Sequence, residues 1–431
     1  MWILNTHTPL SLMGESFSGS SFSDSSCSTG DCLKVHLQVS SQGVYSQILP
    51  ATELPPLEQM AAEAVIDQRG GLLLPCFVDI HTHLDKGHIV SRTPNPDGSF
   101  AGAMAAVPQD AQQYWTEEDL YRRMSFGLQC SYAHGTQGIR THLDSSGPLG
   151  ARVWKVFRAL QQEWSDRLTL QGVALVPPNY YGEPEAETLL ALVAEAHGLL
   201  GGVFFADPAV PLWVERLFSL AQAGGFALDL HVDESNNPRD RSLRAIAEHK
   251  LRQDFPYPVV CGHCCSLSLQ SEQELAETIA LVKAADIGIV SLPLCNLYLQ
   301  DRRPQQTPHW RGVTALHELR QAGVPLALAS DNCRDPFYAF GDHDGLEVLR
   351  ESTRIAHLDH PFGDWVTTVT STPGAWLGLA SETTLQVGAP ANFILFQGRT
   401  WNEVLSRPES DRRVFRHGQE IHAKPPSYET L

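Results

Sequence analysis

Along the middle of the chain, short uninterrupted apolar runs alternate with longer stretches whose apolar positions return every three or four residues. The runs occupy residues 73–80, 138–142, 168–176, 203–206, 226–231, 259–263, 287–292 and 326–330. Runs without polar alternation belong to strands covered on both faces, as in parallel sheets, and the amphipathic stretches are the crossover helices that cover them. Helices are predicted over 117–133, 151–164, 185–200, 212–223, 271–285 and 314–322. Eight such strands close naturally into an α/β fold of the (β/α)8, TIM-like barrel type, whose chemistry sits at the carboxyl ends of the strands.

The ends of the chain read differently. Residues 1–3, 35–48 and 391–397 have short strand patterns, and the two termini are expected to pair into one small sheet. The predicted organisation is a barrel over 71–380, flanked by a small β-sandwich-type domain assembled from 1–70 and 381–431. Within the first segment, Gly14 to Cys32 holds Ser16, Ser18, Ser20, Ser21, Ser23, Ser25, Ser26 and Ser28. That composition buries too little apolar surface to order itself and predicts a flexible insertion over 14–32.

Composition narrows the function classes. With 31 basic against 49 acidic side chains the net charge is −18, which disfavours nucleic acid and anionic membrane as partners. The expected partners are a small heterocyclic substrate and water, and self-association into a homo-oligomer is left open. No apolar run approaches the roughly 18 to 20 residues of a spanning helix, and Met1-Trp2-Ile3-Leu4-Asn5 lacks the basic start of a signal peptide, so a cytoplasmic protein is expected. Nine cysteines in no repeating framework predict reduced thiols. Cys261-Gly262-His263-Cys264-Cys265 contains one Cys-x-x-Cys without a second pair at zinc-ribbon spacing, and its cysteines read as small apolar residues near a strand end.

The chemistry collects at the predicted strand ends. His81-Thr82-His83-Leu84-Asp85 follows the first run, and side chains two apart on a strand share a face, so His81 and His83 can reach one ion as neutral nitrogen ligands. His142 and Asp144 end the second run, His231 and Glu234 the fifth, His263 the sixth and Asp331 the eighth. Three imidazoles and one carboxylate, His81, His83, His231 and Asp331, suit a single divalent transition ion, Fe2+ or Zn2+, and leave a position for water. Glu234 is the candidate proton shuttle and His263 a base beside the ion, while Asp331 has the plainer alternative of capping the following helix. His142 and Asp144 are expected to order the barrel mouth, and Lys86, His88 and His309 receive no task. Residues 203–208 contain no lysine that could bridge two ions, which favours one.

Taken together, these residues resemble the bacterial cytosine deaminase family of the amidohydrolase superfamily, over about Ile66 to Leu349. The similarity comprises His81-Thr82-His83-Leu84-Asp85, His134-Gly135-Thr136, Arg140-Thr141-His142-Leu143-Asp144, His231-Val232-Asp233-Glu234 and His263. It continues through Pro293-Leu294-Cys295-Asn296, Leu299-Gln300, Arg311-Gly312-Val313-Thr314, Asp331-Asn332 and Asp335-Pro336. The resemblance implies that His81, His83, His231 and Asp331 hold iron or zinc, that Glu234 protonates a ring nitrogen, and that Asp331 and His263 activate the attacking water. Three positions depart from the family. Asn332 stands where the family has a second aspartate, Phe337 where it has tryptophan, and Asn179 within Pro177-Pro178-Asn179 where it has glutamine. These three become candidate substrate-binding residues.

The leading expectation is a metal-dependent hydrolytic deaminase of an aminated heterocycle in nucleobase metabolism, cytosine or a related pyrimidine first and a purine, pterin or triazine next. The same groups could instead cleave a cyclic amide or an N-alkylamino heterocycle. A non-catalytic binding protein on this scaffold is the remote alternative, since a full ligand set serves no binding module.

Overall fold

The computed structural model describes residues 1–14, 32–53, 55–408 and 411–431. The predicted serine-rich insertion falls almost wholly on 15–31, outside the described residues. Eight barrel positions are filled by β1 (Phe77–Thr82), β2 (Thr136–Asp144), β3 (Thr169–Leu175), β4 (in two pieces, Leu199–Leu200 and Val203–Phe204), β5 (Leu228–Val232), β6 (Val259–His263), β7 (Ile287–Ser291) and β8 (Leu326–Leu328). Neighbouring strands are hydrogen-bonded in chain order from β1 to β8, and from β3 onward the pairings are parallel. The seam between the last strand and the first is thin. It includes a parallel bridge between Thr82 and Asp331, with Asp331 N donating to His81 O at 2.9 Å, Thr82 Oγ1 donating to Asp331 O at 2.9 Å and Ser330 N donating to Asp79 Oδ1 at 3.2 Å.

Strand burial explains the apolar runs: every residue of β1, β5, β6, β7 and β8 is buried. The intervening helices carry their own start and stop signals. Ser271 and Glu274 form a reciprocal capping box on Glu272–Ala284, and Gly225 ends Val210–Gly224 in the left-handed region at φ 73°. The helix predicted over 185–200 stops at Glu195. His197, at φ 50°, then turns the chain so that Leu199–Leu200 becomes the first piece of β4.

The terminal segments correct the expectation of one shared sheet, because they build two. Trp2–Pro9, Cys32–Val39, Tyr45–Pro50 and Val65–Asp67 make an N-terminal four-stranded sheet, whereas Phe393–Leu395, Arg413–Arg416 and Gln419–Ile421 join Leu73–Pro75 in a second. The region 35–48 is a hairpin rather than a single strand and pairs with Trp2–Pro9, whereas residues 393–395 pair with Leu73–Pro75. The two sheets touch through a Val44–Pro390 bridge and the rings of Tyr45 and Phe393, 6.1 Å between centroids.

The chain divides into two compact units. One comprises 1–78, 130–138 and 344–425, and the other 79–129, 139–343 and 426–431. Every candidate site residue lies in the second. Among the described residues, no helix is long and apolar enough to cross a membrane.

Candidate metal centre

The carboxyl ends of β1, β5 and β6 and the turn after β8 converge on one buried cluster. His81 and Thr82 end β1, so His83 is the first residue beyond it, while His231 is the penultimate residue of β5 and pairs with Gly262 of β6. His263 and Asp331 adopt φ of 68° and 63°. Such left-handed conformations are costly for side chains other than glycine and recur where a strand end must re-aim a functional group.

His81, His83, His231 and Asp331 bring one ligand atom each to within 4.8 Å of one another. The His231 Nε2 lies 3.2 Å from His81 Nε2 and 3.3 Å from His83 Nε2. Asp331 Oδ1 lies 3.2 Å from His83 Nε2 and 3.6 Å from His81 Nε2. A tetrahedral ion with bonds of about 2.0–2.1 Å sets its ligand atoms about 3.3 Å apart, so these spacings fit the edges of one coordination sphere. Three Nε2 atoms and one carboxylate oxygen turned toward one point are also the donor set that a transition ion takes. Burial, followed by the neighbouring histidines and cations, holds all three imidazoles well below their usual pKa and therefore neutral, as ligands must be. Burial also pushes the Asp331 carboxyl up to about 8, so its ionised form calls for an adjacent cation.

Beside this cluster, Asn296 organises two further predicted residues. Its Nδ2 donates to His263 Nδ1 at 3.1 Å and to Glu234 Oε1 at 3.2 Å. His263 Nδ1 is thereby an acceptor, which puts the ring proton on Nε2, an atom with no partner within the protein. Burial lowers the His263 pKa to about 3. Burial, and then the Asp331 charge, raises that of Glu234 well above the carboxylate range. A cavity of about 480 Å³ reaches Glu234 and is lined as well by Phe100, Phe205, Leu299, Gln300 and Arg302.

The three candidate substrate-binding residues part company. Asn332 is buried, its Nδ2 donating to Asp335 Oδ2 at 2.6 Å and its Oδ1 accepting from Cys295 Sγ at 3.7 Å. Phe337 is half-buried, follows the Asp335 turn and packs edge-on to Phe100 at 5.7 Å. Asn179 is exposed on the turn Pro178–Gly182 and is not among the residues lining the cavity.

His142 lies deeper than the mouth position expected for it. It is fully buried, its ring 3.9 Å from that of His81 between centroids, with Nε2 3.6 Å from Asp229, which in turn pairs with Arg140 at 2.7 Å. Asp144 does sit toward the mouth and receives Lys86 Nζ at 2.9 Å. Lys86 is buried against Asp85 at 3.3 Å and lies 3.4 Å from His83 Nδ1. Burial works to lower its pKa, and Asp144 and Asp85 outweigh it to keep the ammonium charged. His88 Nε2 meets His343 Nε2 at 3.3 Å in a separate cluster with Cys333, and His309 is exposed. Cys261, Cys264 and Cys265 are buried, and among the described residues none belongs to a group able to hold an ion. Asn296 and Lys86 are the contributors that the sequence left without a role, although Asn296 stands inside a quoted motif and Lys86 directly follows one.

A model of the amidohydrolase family, described as Amidohydro_3, matches residues 152–422. The pterin deaminase of Rhizobium rhizogenes strain K84 is 48% identical over 394 residues, covering 91% of this chain and 89% of that protein. The chain belongs to the amidohydrolase family. It is accordingly a hydrolase acting on C–N bonds. A second relative in this family, the N-isopropylammelide isopropyl amidohydrolase of Pseudomonas sp. strain ADP, is 26% identical and covers 77% of this chain and 81% of its own. Among solved amidohydrolase structures, 5-methylcytosine deaminase from Klebsiella pneumoniae superposes with a TM-score of 0.81 at 24% identity, covering 99% and 98% of the two chains. This likeness establishes the barrel with its additional terminal sheets.

Proposed function

We propose that this amidohydrolase is a hydrolytic deaminase of a fused two-ring aminated heterocycle of the pterin type, releasing ammonia. The observation that carries the reading is Glu234, a buried carboxyl at the cavity wall that shares Asn296 with His263 beside the ligand cluster. The substantial identity with a pterin deaminase favours the pterin alternative over the pyrimidine first expected from the motifs.

His81, His83, His231 and Asp331 would hold one divalent transition ion, iron or zinc. When bound it supplies a Lewis acid that acidifies water. Glu234, kept protonated by its burial, delivers a proton to the ring nitrogen next to the amine-bearing carbon and makes that carbon electrophilic. His263 Nε2–H orients the attacking oxygen, and Asp331 accepts a proton from the water. A C–O bond forms, the C–N bond breaks, the proton taken from water leaves with the amine as ammonia, and the proton on the new hydroxyl returns to Glu234 as the carbonyl forms. Asn332 acts by holding the Asp335 turn that presents Phe337, so its influence on the substrate is one of pocket shape. Hydrolysis of an N-alkylamino group is the second reading, supported by the N-isopropylammelide isopropyl amidohydrolase relative at lower identity.

A panel of pterin, isoguanine, cytosine, 5-methylcytosine, isocytosine and an N-alkylaminotriazine, assayed for ammonia and for free amine, tests this directly. Ammonia from pterin is expected at the highest kcat/KM. A pyrimidine as best substrate restores the cytosine reading, and release of alkylamine without ammonia selects the second.

A further inference from the structure

Three aromatic rings from three separate segments meet, and two of them line the cavity. Phe100 opens the helix Phe100–Tyr114, a segment inserted after β1, while Phe205 follows β4 and Phe337 follows β8. Phe100 stands between the others, 5.8 Å from Phe205 and 5.7 Å from Phe337 between centroids, at interplanar angles of 80° and 66°. Edge-to-face contacts of this kind hold rings in place. Two of the three, Phe100 and Phe205, line the same cavity as Glu234.

The insertion is fastened so that Phe100 has little freedom. Ser99 Oγ caps the helix by accepting from Gly102 N at 2.9 Å, and Asn95 Nδ2 donates to Ser99 O at 2.8 Å and to Pro336 O at 2.9 Å. Arg92 clamps the same segment to Asp110 at 2.8 Å and to Asp119 at 2.6 Å. The half-buried faces of Phe100 and Phe205 are thus preorganised apolar surface facing a polar, proton-transferring end of the cavity.

We infer that Phe100 and Phe205 form the wall that receives the second ring of a fused heterocycle, and that they set selectivity for two-ring over one-ring substrates. The inference rests on the deaminase reading above. A single amino-oxo ring engaged at Glu234 uses only that end of the cavity, whereas a ring fused to it extends along the wall and stacks there.

Pterin and isocytosine test it, because isocytosine reproduces the amino-oxo ring of pterin without the second ring. Wild type, Phe100→Ala and Phe205→Ala, each checked for unchanged metal content, are compared on both substrates. Binding of the deaminated products lumazine and uracil is measured in parallel by calorimetry. Loss of one aromatic stacking partner is expected to lower kcat/KM for pterin about tenfold while leaving isocytosine within twofold, and to weaken lumazine by a similar factor but not uracil. An equal fall for both substrates, or none for either, overturns the wall while the function reading stands. Turnover of isocytosine without pterin overturns both. Ammonia from neither overturns the function reading alone, and the lumazine-to-uracil binding ratio then decides the wall.

Discussion

Asn296 shows how much of the site depends on one neutral side chain. A carboxamide nitrogen has two protons to give, and here each has a designated acceptor, Glu234 Oε1 and His263 Nδ1. That division fixes the tautomer of one residue and the orientation of the other. Glu234→Gln keeps the shape of the carboxyl but cannot move a proton, so kcat should fall by about 10²- to 10⁴-fold with metal content unchanged. Metal analysis together with single-turnover rates checks this, and loss of the ion would recast Glu234 as a structural support. The histidines and carboxylates were legible in the sequence because each closes an apolar strand, and strand ends have a direction. Asn296 and Lys86 were not, since their importance comes from partners on other loops. Nothing in the local pattern around Lys86 announces that Asp144, 58 positions away, will receive it.

At the scale of elements, the eight strands followed from runs of Val, Ile and Leu too long and too unalternated for half-exposed sheets. The pairing of the terminal strands did not follow. Edge partners are set by contacts distant in sequence, and the N-terminal strand lies between the hairpin strand Cys32–Val39 and Val65–Asp67, while Phe393–Leu395 pairs with Leu73–Pro75. One helix illustrates what holds the unit formed by 1–78, 130–138 and 344–425. Asp344 caps Gly345–Ala356 by accepting from Leu346 N at 2.9 Å and pairs with Arg412 at 2.5 Å, both side chains nearly buried. Burial works to raise the Asp344 carboxyl, and the Arg412 charge and bonds outweigh it, bringing its pKa down to about 2. A depressed carboxylate contributes stability above its unfolded pKa of about 3.9, and that contribution is lost as pH falls toward 2. Arg412→Met should therefore cost about 3–5 kcal/mol near neutral pH, with the deficit shrinking below about pH 4 as Asp344 takes up a proton in both proteins. Urea unfolding at pH 7 and at about pH 2.5 measures the difference. A deficit independent of pH would show that the aliphatic packing of Arg412, rather than its charge, is what counts.

On the scale of the whole molecule, the ligand set draws on strands at both ends of the barrel order, and metal and fold should be coupled. Any ion that binds the native state alone stabilises it, by about 4 kcal/mol at a thousandfold excess over Kd. Chelation should lower the thermal midpoint, and readdition of zinc or ferrous ion should restore it. His83→Ala should lose the ion, the activity and that response together. A midpoint indifferent to chelator would separate the cluster from the stability of the barrel.

The seam between β8 and β1 has a consequence in time. His81 and His83 leave the ribosome about 250 positions before Asp331, and the bridge between Thr82 and Asp331 joins the earliest ligand strand to the last. A growing chain that has emitted β1 through β7 carries three imidazoles and lacks the carboxylate that completes the set. With an ion held as proposed, the cluster would double as a completion mark, since a nascent or truncated chain that stops short of residue 331 lacks both the bridge partner of Thr82 and the fourth ligand.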